Sequence, residues 1–435
     1  MFGLFSSVEK QMRANATNWL ELADKVFNYR RDEISAADRA ELQQKSEQLR
    51  AQLRDKADAS KLKLGIEALE PAVRRAGGKF YPRSTMQEYV EFFVVAAIVI
   101  LGLRAYFVQP FKIPTNSMWP TYYGMTGEVF PSEKDEPGAL GRVARLVAFG
   151  ATRRSVDAPV DGDVWIPVGG NPGGYVSASQ VKGRTWLVLP TTVQEITLRV
   201  GDQFVSFQVP LEFRFDRVAQ DAFFPGDLDL GAQITARIAQ HQAELGEVPA
   251  GVNNQHTQGR WINTGKRVKK GERVLSFDVM TGDQLFVDRI SYHFVRPQVG
   301  SGFVFRTDNI HSPDMRDRST GRQVESYYIK RLVGVPGDKL EVRNSTLFRN
   351  GAPITGSSAF DKNANKEGLY RGYPNLRALD KGRSVDVSQE GYYAMGDNSY
   401  DSADSRYWGE VPYKDVVGRP LFIYYPFTKR WGPAR

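Results

Sequence analysis

Residues 89–108 are apolar at nearly every position, with Glu91 and Arg104 close to the two ends and an uncharged core from Phe92 to Leu103. About 20 such residues suffice for a helix to cross a hydrocarbon layer of roughly 30 Å, so a transmembrane helix is predicted here. A buried helix of a soluble domain is the alternative with the same length. Before this segment, apolar residues thin to a narrow stripe, Leu42, Leu49 and Leu53, in Lys- and Glu-rich sequence, and Ser35 ahead of Asp38 marks a helix start. Residues 1–87 therefore read as helical, a solvated hairpin with a weak packing face.

Beyond residue 108 the period shortens to two. Val205, Phe207, Val209, Leu211, Phe213 and Phe215 are apolar at alternate positions, which predicts a half-buried strand over 204–215. Shorter strands are predicted over 185–189, 274–279 and 421–425, and a helix over 233–245. A glycine-rich loop at 169–174 and an Asn350-Gly351 hairpin signal punctuate the region. The run Gly124-Met125-Thr126-Gly127 is echoed by Val279-Met280-Thr281-Gly282. That echo places residues 128–278 as a β-rich insertion in a host domain. The expected division is 1–87 helical, 88–108 membrane helix, a core of 109–127 with 279–345 and 386–435, the insertion 128–278, and a small insertion 346–385.

Charge gives the membrane segment a direction. Arg74, Arg75, Lys79 and Arg83 precede it and only Lys112 follows closely, so the N-terminus is expected in the cytoplasm and everything after Gln109 outside. The net charge of +8 is dispersed, without a nucleic-acid motif, and suits a basic flank lying on anionic lipid. The 435 residues contain no cysteine, which excludes thiolate nucleophiles, thiolate metal sites and disulfides. No metal-ligand spacing and no phosphate-binding glycine loop occurs, so no metal and no cofactor is expected.

Two motifs carry chemistry. Ser117 stands in Ile-Pro-Thr-Asn-Ser-Met-Trp-Pro-Thr (113–121), and Lys330 in Tyr-Ile-Lys-Arg-Leu-Val-Gly-Val-Pro-Gly-Asp (328–338). A serine hydroxyl is a poor nucleophile until a base takes its proton. Lysine can be that base only when neutral, which requires its pKa to fall from about 10.4 by desolvation or a neighbouring cation. Tyr327, Tyr328, Ile329, Leu332 and Val333 supply apolar company, and Arg331 a cation that strand alternation turns to the other face. His241, His256, His293 and His311 are the other candidate bases, none in a Ser-His-Asp context, and His293 reads as strand.

These motifs resemble the bacterial type I signal peptidases. Residues 113–121 are similar to that family's nucleophile box, 328–338 to its lysine box, and Gly396-Asp397-Asn398-Ser399-Tyr400-Asp401-Ser402-Ala403-Asp404-Ser405-Arg406 to its last box. The resemblance implies a signal-peptidase-like β fold and a membrane-bound serine endopeptidase cutting signal peptides at Ala-x-Ala type sites of exported preproteins, near the secretion translocon at the bacterial cytoplasmic membrane. It assigns Ser117 as nucleophile and Lys330 as general base. Thr115 and the Ser117 N–H would form the oxyanion hole, and Ser402 would orient Lys330. Asp397, Asp404 and Arg406, with Arg331 beside the lysine, are expected to be structural. Phe111, Ile113, Met118, Tyr122 and Ile329 are expected to line shallow apolar pockets. The strand before the lysine box, Gly300 to Phe305, lacks the aspartate usual there. A binding or scaffold protein on a peptidase-like core, and a self-cleaving Ser-Lys protease, are the rival readings.

Overall fold

In the computed structural model the apolar segment forms one helix, Thr85–Tyr106, without a single buried residue. Apolar residues surround it on all sides, which a water-facing helix would not tolerate, and it is long and apolar enough to cross a membrane. The structure describes all residues except 1–7, 79–80, 82–84, 170–174, 186–188, 227–228, 253–254, 317–320, 324 and 435. Lys79 and Arg83 of the basic flank, residues 170–174 of the glycine-rich loop, and 186–188 thus lie outside the described residues. Two compact units divide the chain, Met1–Leu101 and Gly102–Arg435.

The first unit contains three further helices, Val8–Arg30, Ala36–Arg54 and Ala59–Gly77. The hairpin expectation fell short by one helix. Leu42 and Leu49 are fully buried against Leu20, Leu62, Leu69 and Val73, and Leu53 packs at the margin. The third helix hides in the sequence because it contains Gly65 and Pro71, both poor helix formers. Gly65 is needed for close approach, since a Cβ there would stand 2.3 Å from Gln52 Oε1 and 2.8 Å from Leu49 Cδ1. Ser35 does cap the second helix, accepting from the Asp38 N–H, and Asp58 caps the third from Lys61.

The second unit is β-rich. One antiparallel sheet runs Val108–Lys112, Gln284–Asp288, Val416–Tyr425, Gly302–Arg306, Tyr327–Gly334, Gly391–Met395, Val411–Pro412, with Gly432–Pro433 pairing on Val416–Tyr425. Its neighbours come from far apart in sequence, and their inward residues Leu285, Val287, Val304, Val417 and Ile423 meet Ile113 and Met118 in one core. A second sheet, built from Gly162–Val168, Ser179–Thr185, Leu189–Val200, Gln203–Pro210, Ala243–Pro249, Gly251–Val252 and His256–Val268, has its own core around Phe207, Phe213, Phe215 and Phe277. The chain leaves along Thr126–Val129 and returns along Arg273–Met280, and these two strands pair, Thr126 opposite Met280. Thr152–Asp157 pairs on the other side of Arg273–Met280, and a further small sheet is formed by Lys339–Arg343, Thr346–Arg349, Ala352–Pro353 and Ser384–Asp386.

Several local expectations change. The strand expected over 204–215 stops at Pro210. Phe213 and Phe215 are buried, but in a turn and at the start of the helix Phe215–Phe223. Alternation reports burial, and a turn running along a core mimics it. The strand expected over 185–189 is where two strands meet: Thr185 ends one and pairs with Leu189, which begins the next. The helix expected over 233–245 is Leu230–Ala239, capped by Asp229; His241 takes a left-handed φ of 58°, and Ala243–Pro249 is a strand. There, pairing with His256–Val268 overrides the helical preference of Ala243, Glu244 and Leu245. His293 sits in a short helix, Ser291–Phe294, rather than a strand.

Candidate active site

Ser117 lies in a loop between the strands Val108–Lys112 and Thr126–Val129, tied down at both ends. Ile113 N–H donates to Asp283 O (2.9 Å) and Met125 N–H to Pro114 O (3.1 Å). Inside the loop, the Asn116 side chain donates to Met125 O and accepts from Gly124 N–H, both at 2.9 Å. Gly124 allows this, because a Cβ would stand 2.3 Å from the Thr115 carbonyl carbon. Met118 and Tyr122, at 0% and 1% exposure, anchor the loop from below.

Lys330 is on the strand Tyr327–Gly334, opposite Phe303 of the neighbouring strand. Only 4% of it is exposed. Its Nζ donates to Ser117 Oγ at 2.5 Å, joining residues 213 positions apart. Burial lowers its pKa from 10.5 to about 8; the carboxylates of Asp404, Asp397 and Asp401 oppose that fall, and the Arg406 cation assists it. A lysine so placed is neutral in about a tenth of molecules at pH 7 and in about half at pH 8, and the neutral form is able to accept the serine proton.

Alternation along the strand turns Arg331 to other partners. Its Nε and Nη2 each lie 2.6 Å from the two Asp397 carboxylate oxygens, and its Nη1 donates to Gly300 O at 2.6 Å. Opposite charge and hydrogen bonding raise its pKa above the usual arginine value despite burial. Asp397 also accepts from the Thr121 hydroxyl (2.5 Å). The next residue, Asn398, donates its N–H to Ser117 O (3.1 Å) and its side-chain amide to Asn116 O (3.0 Å). This corner thus ties the lysine strand to the serine loop. Asp404 and Arg406 form a second buried pair, Nε–Oδ1 2.8 Å and Nη2–Oδ2 2.7 Å, and Asp404 also accepts from Gly396 N–H (3.0 Å). Gly396 has no room for a side chain: a Cβ would stand 2.2 Å from Ser402 Oγ and 2.4 Å from Ser117 O.

A cleft of about 360 Å³ opens over Ser117 and Lys330. Phe111, Ile113, Ile329 and the exposed Thr115 line it. Met118 and Tyr122, expected in the pockets, are not on its wall. They are spent on the core beneath the loop, where Met118 and Tyr122 pack with Leu285 and Val304. Ser402 is buried beside Gly396, but its Oγ makes no hydrogen bond, so the expected bond to Lys330 is not formed in this structure. Asn116, Thr121, Gly396 and Asn398 were not expected as site residues, although the first two stand inside the serine motif and the last two inside the last box. Glu212, Arg214 and Asp401 also line the cleft. The first two lie in the segment read as strand, with no local signal to give them away.

Residues 273–425 match the family described as "Signal peptidase, peptidase S26", a stretch that includes Lys330 and the last box but not Ser117. A probable signal peptidase I-1 of Synechocystis sp. is 34% identical over 151 residues, which is 35% of this chain and 66% of that protein. Signal peptidase I P of Bacillus subtilis subsp. natto is 36% identical over 111 residues, 25% of this chain and 56% of its own length. A solved signal peptidase I from Enterococcus faecalis V583 is 25% identical, covers 29% of this chain and 97% of its own, and superposes with a TM-score of 0.21, too low to speak for the fold. The chain spans between about half and two thirds of the signal peptidase I proteins it matches. Residues 273–425 thus carry a peptidase S26 domain, and the chain is similar to signal peptidases I.

Proposed function

We propose that this chain is a membrane-bound serine endopeptidase that removes signal peptides from exported preproteins, cutting after Ala-x-Ala type sites. The 2.5 Å contact between Ser117 Oγ and a buried Lys330 carries the reading. Neutral Lys330 takes the Ser117 proton as Oγ bonds to the scissile carbonyl carbon. The oxyanion so formed is held by the Ser117 N–H and the Thr115 hydroxyl. Its collapse breaks the C–N bond, and the leaving amine takes the proton from Lys330. Water then gives a proton to Lys330 while its oxygen attacks the acyl carbon, and Ser117 recovers its hydrogen as the signal peptide leaves. In turnover Ser402 swings into hydrogen-bonding contact with the Lys330 ammonium. Asp397 and Asp404 with Arg331 and Arg406 hold the lysine strand and serine loop in register.

Substrate recognition through the main chain has support in the sheet. Residues 327–330 pair on one side with Gly302–Arg306, while pairing with Gly391–Met395 begins only at Arg331. Val108–Lys112 pairs on one side with Gln284–Asp288. Among the described residues, then, two unpaired edges border the cleft, fit for an extended peptide whose small P1 and P3 side chains meet Phe111, Ile113 and Ile329. The helix Thr85–Tyr106 would be a single membrane anchor. Its N-terminal side would face the cytoplasm, and the core of 109–127, 279–345 and 386–435 would work outside, near the translocon, with 128–278 and 346–385 as additions.

Purified chain in detergent, incubated with a preprotein, tests this. Cleavage after the Ala-x-Ala site should occur in the wild type and vanish in Ser117→Ala and in Lys330→Met. Retained cleavage by either variant would refute the dyad.

A further inference from the structure

The turn between Gln203–Pro210 and Phe215–Phe223 belongs to the second sheet's part of the chain, yet it reaches the catalytic cleft. Its placement follows from alternation. Phe213 and Phe215 point inward against Phe277, with ring centroids 6.0 and 5.9 Å away, and so Glu212 and Arg214 point outward. The turn is docked on both sides of the site. Arg214 Nη2 pairs with Asp401 Oδ1 at 3.1 Å, next to Ser402, and Arg217 lies over the ring of Trp119, two residues after Ser117, at 5.9 Å. Val218 fills the space above Gly127, where a Cβ would stand 2.2 Å from Val218 Cγ2.

The charges around the cleft cancel in sum but not pair by pair. Asp401 neutralises Arg214, and Lys330 must be neutral to act as base. Glu212 is exposed and makes no ion pair or hydrogen bond among the described residues. Lys112, on the strand that borders the cleft, likewise makes no ion pair among the described residues. We infer that Glu212 is a specificity-determining residue: it favours substrates with Lys or Arg, and disfavours those with Asp or Glu, where the peptide passes the 211–214 turn beside the cleavage site. This rests on the peptidase reading and adds a preference by charge to it.

A matched panel of preproteins, carrying Lys, Ser or Glu at successive positions on either side of the cleavage site, tests the inference. An exposed pair shifts selection about threefold, so at one position Lys should exceed Ser, and Ser exceed Glu, by about threefold each in kcat/KM. That ratio should fall to near one in Glu212→Gln, invert in Glu212→Lys, and shrink in high salt, as a purely structural role would not. Being a ratio, it is indifferent to the amount of folded enzyme. The same order should appear in peptide affinity for Ser117→Ala, a readout free of catalysis. If the wild type cleaves no preprotein, the peptidase reading fails while the affinity series still judges Glu212. An unchanged Lys-to-Glu ratio in Glu212→Gln, in both series, overturns the inference.

Discussion

Lys330→Met should make the protein inactive and, at neutral pH, more stable. Lys330 is almost wholly buried, and its pKa falls from 10.5 to about 8 in the folded chain. A base with a depressed folded pKa is penalised wherever it holds its proton. The penalty is therefore full below pH 8 and fades as pH rises toward 10.5. At 1.36 kcal/mol per tenfold, it amounts to about 3 kcal/mol at pH 7 and about 1 kcal/mol at pH 10. Methionine removes the charge and leaves a similar unbranched chain in the same space, losing the contact with Ser117 Oγ and the approach of Nζ to the Tyr328 ring. The assay is urea unfolding of the full chain in detergent at both pH values, read by tryptophan emission, to which the buried Trp408 contributes. The stability difference between variant and wild type should shrink by about 2 kcal/mol from pH 7 to pH 10. Packing differences are the same at both pH values and cancel. A difference that stays constant, or grows with pH, would show that Lys330 is not a buried amine with a lowered pKa.

The same pKa sets the rate: cleavage should rise about tenfold from pH 7 to pH 9, half-maximal near 8, and a flat profile would exclude Lys330 as base. Asp397→Ala strands the Arg331 guanidinium, whose side chain is 3% exposed, and should cost about 3–5 kcal/mol in urea unfolding; a loss below about 1 kcal/mol would mean the pair relaxes into solvent. Ser402→Ala removes a buried hydroxyl without a hydrogen bond, so stability should hold or rise by about 1 kcal/mol while kcat falls; wild-type kcat would remove Ser402 from the mechanism.

The β-rich character of the second unit was legible because Val205, Phe207 and Val209 line one face of their strand while Ser206 and Gln208 turn to the other. The same signal misplaced the end of that strand. Phe213 and Phe215 obey it from a turn and a helix, since alternation records which side is buried rather than which backbone carries it. The third N-terminal helix was hidden by Gly65 and Pro71. Packing forgives both, the first because close contact with Gln52 leaves no space for a Cβ.

By itself the sequence determined the membrane-length helix, the serine and lysine motifs, and the chemistry those residue types allow, because length, composition and short motifs are properties of contiguous chain. Only the tertiary structure decided that Ser117 and Lys330 touch, that the lysine is dry enough to be a base, and that Met118 and Tyr122 serve the floor rather than the pocket. It alone brought Glu212 and Arg214 to the cleft. Burial, pKa and cleft walls are made by atoms from strands and turns far apart along the chain, and no local pattern encodes which of those will meet.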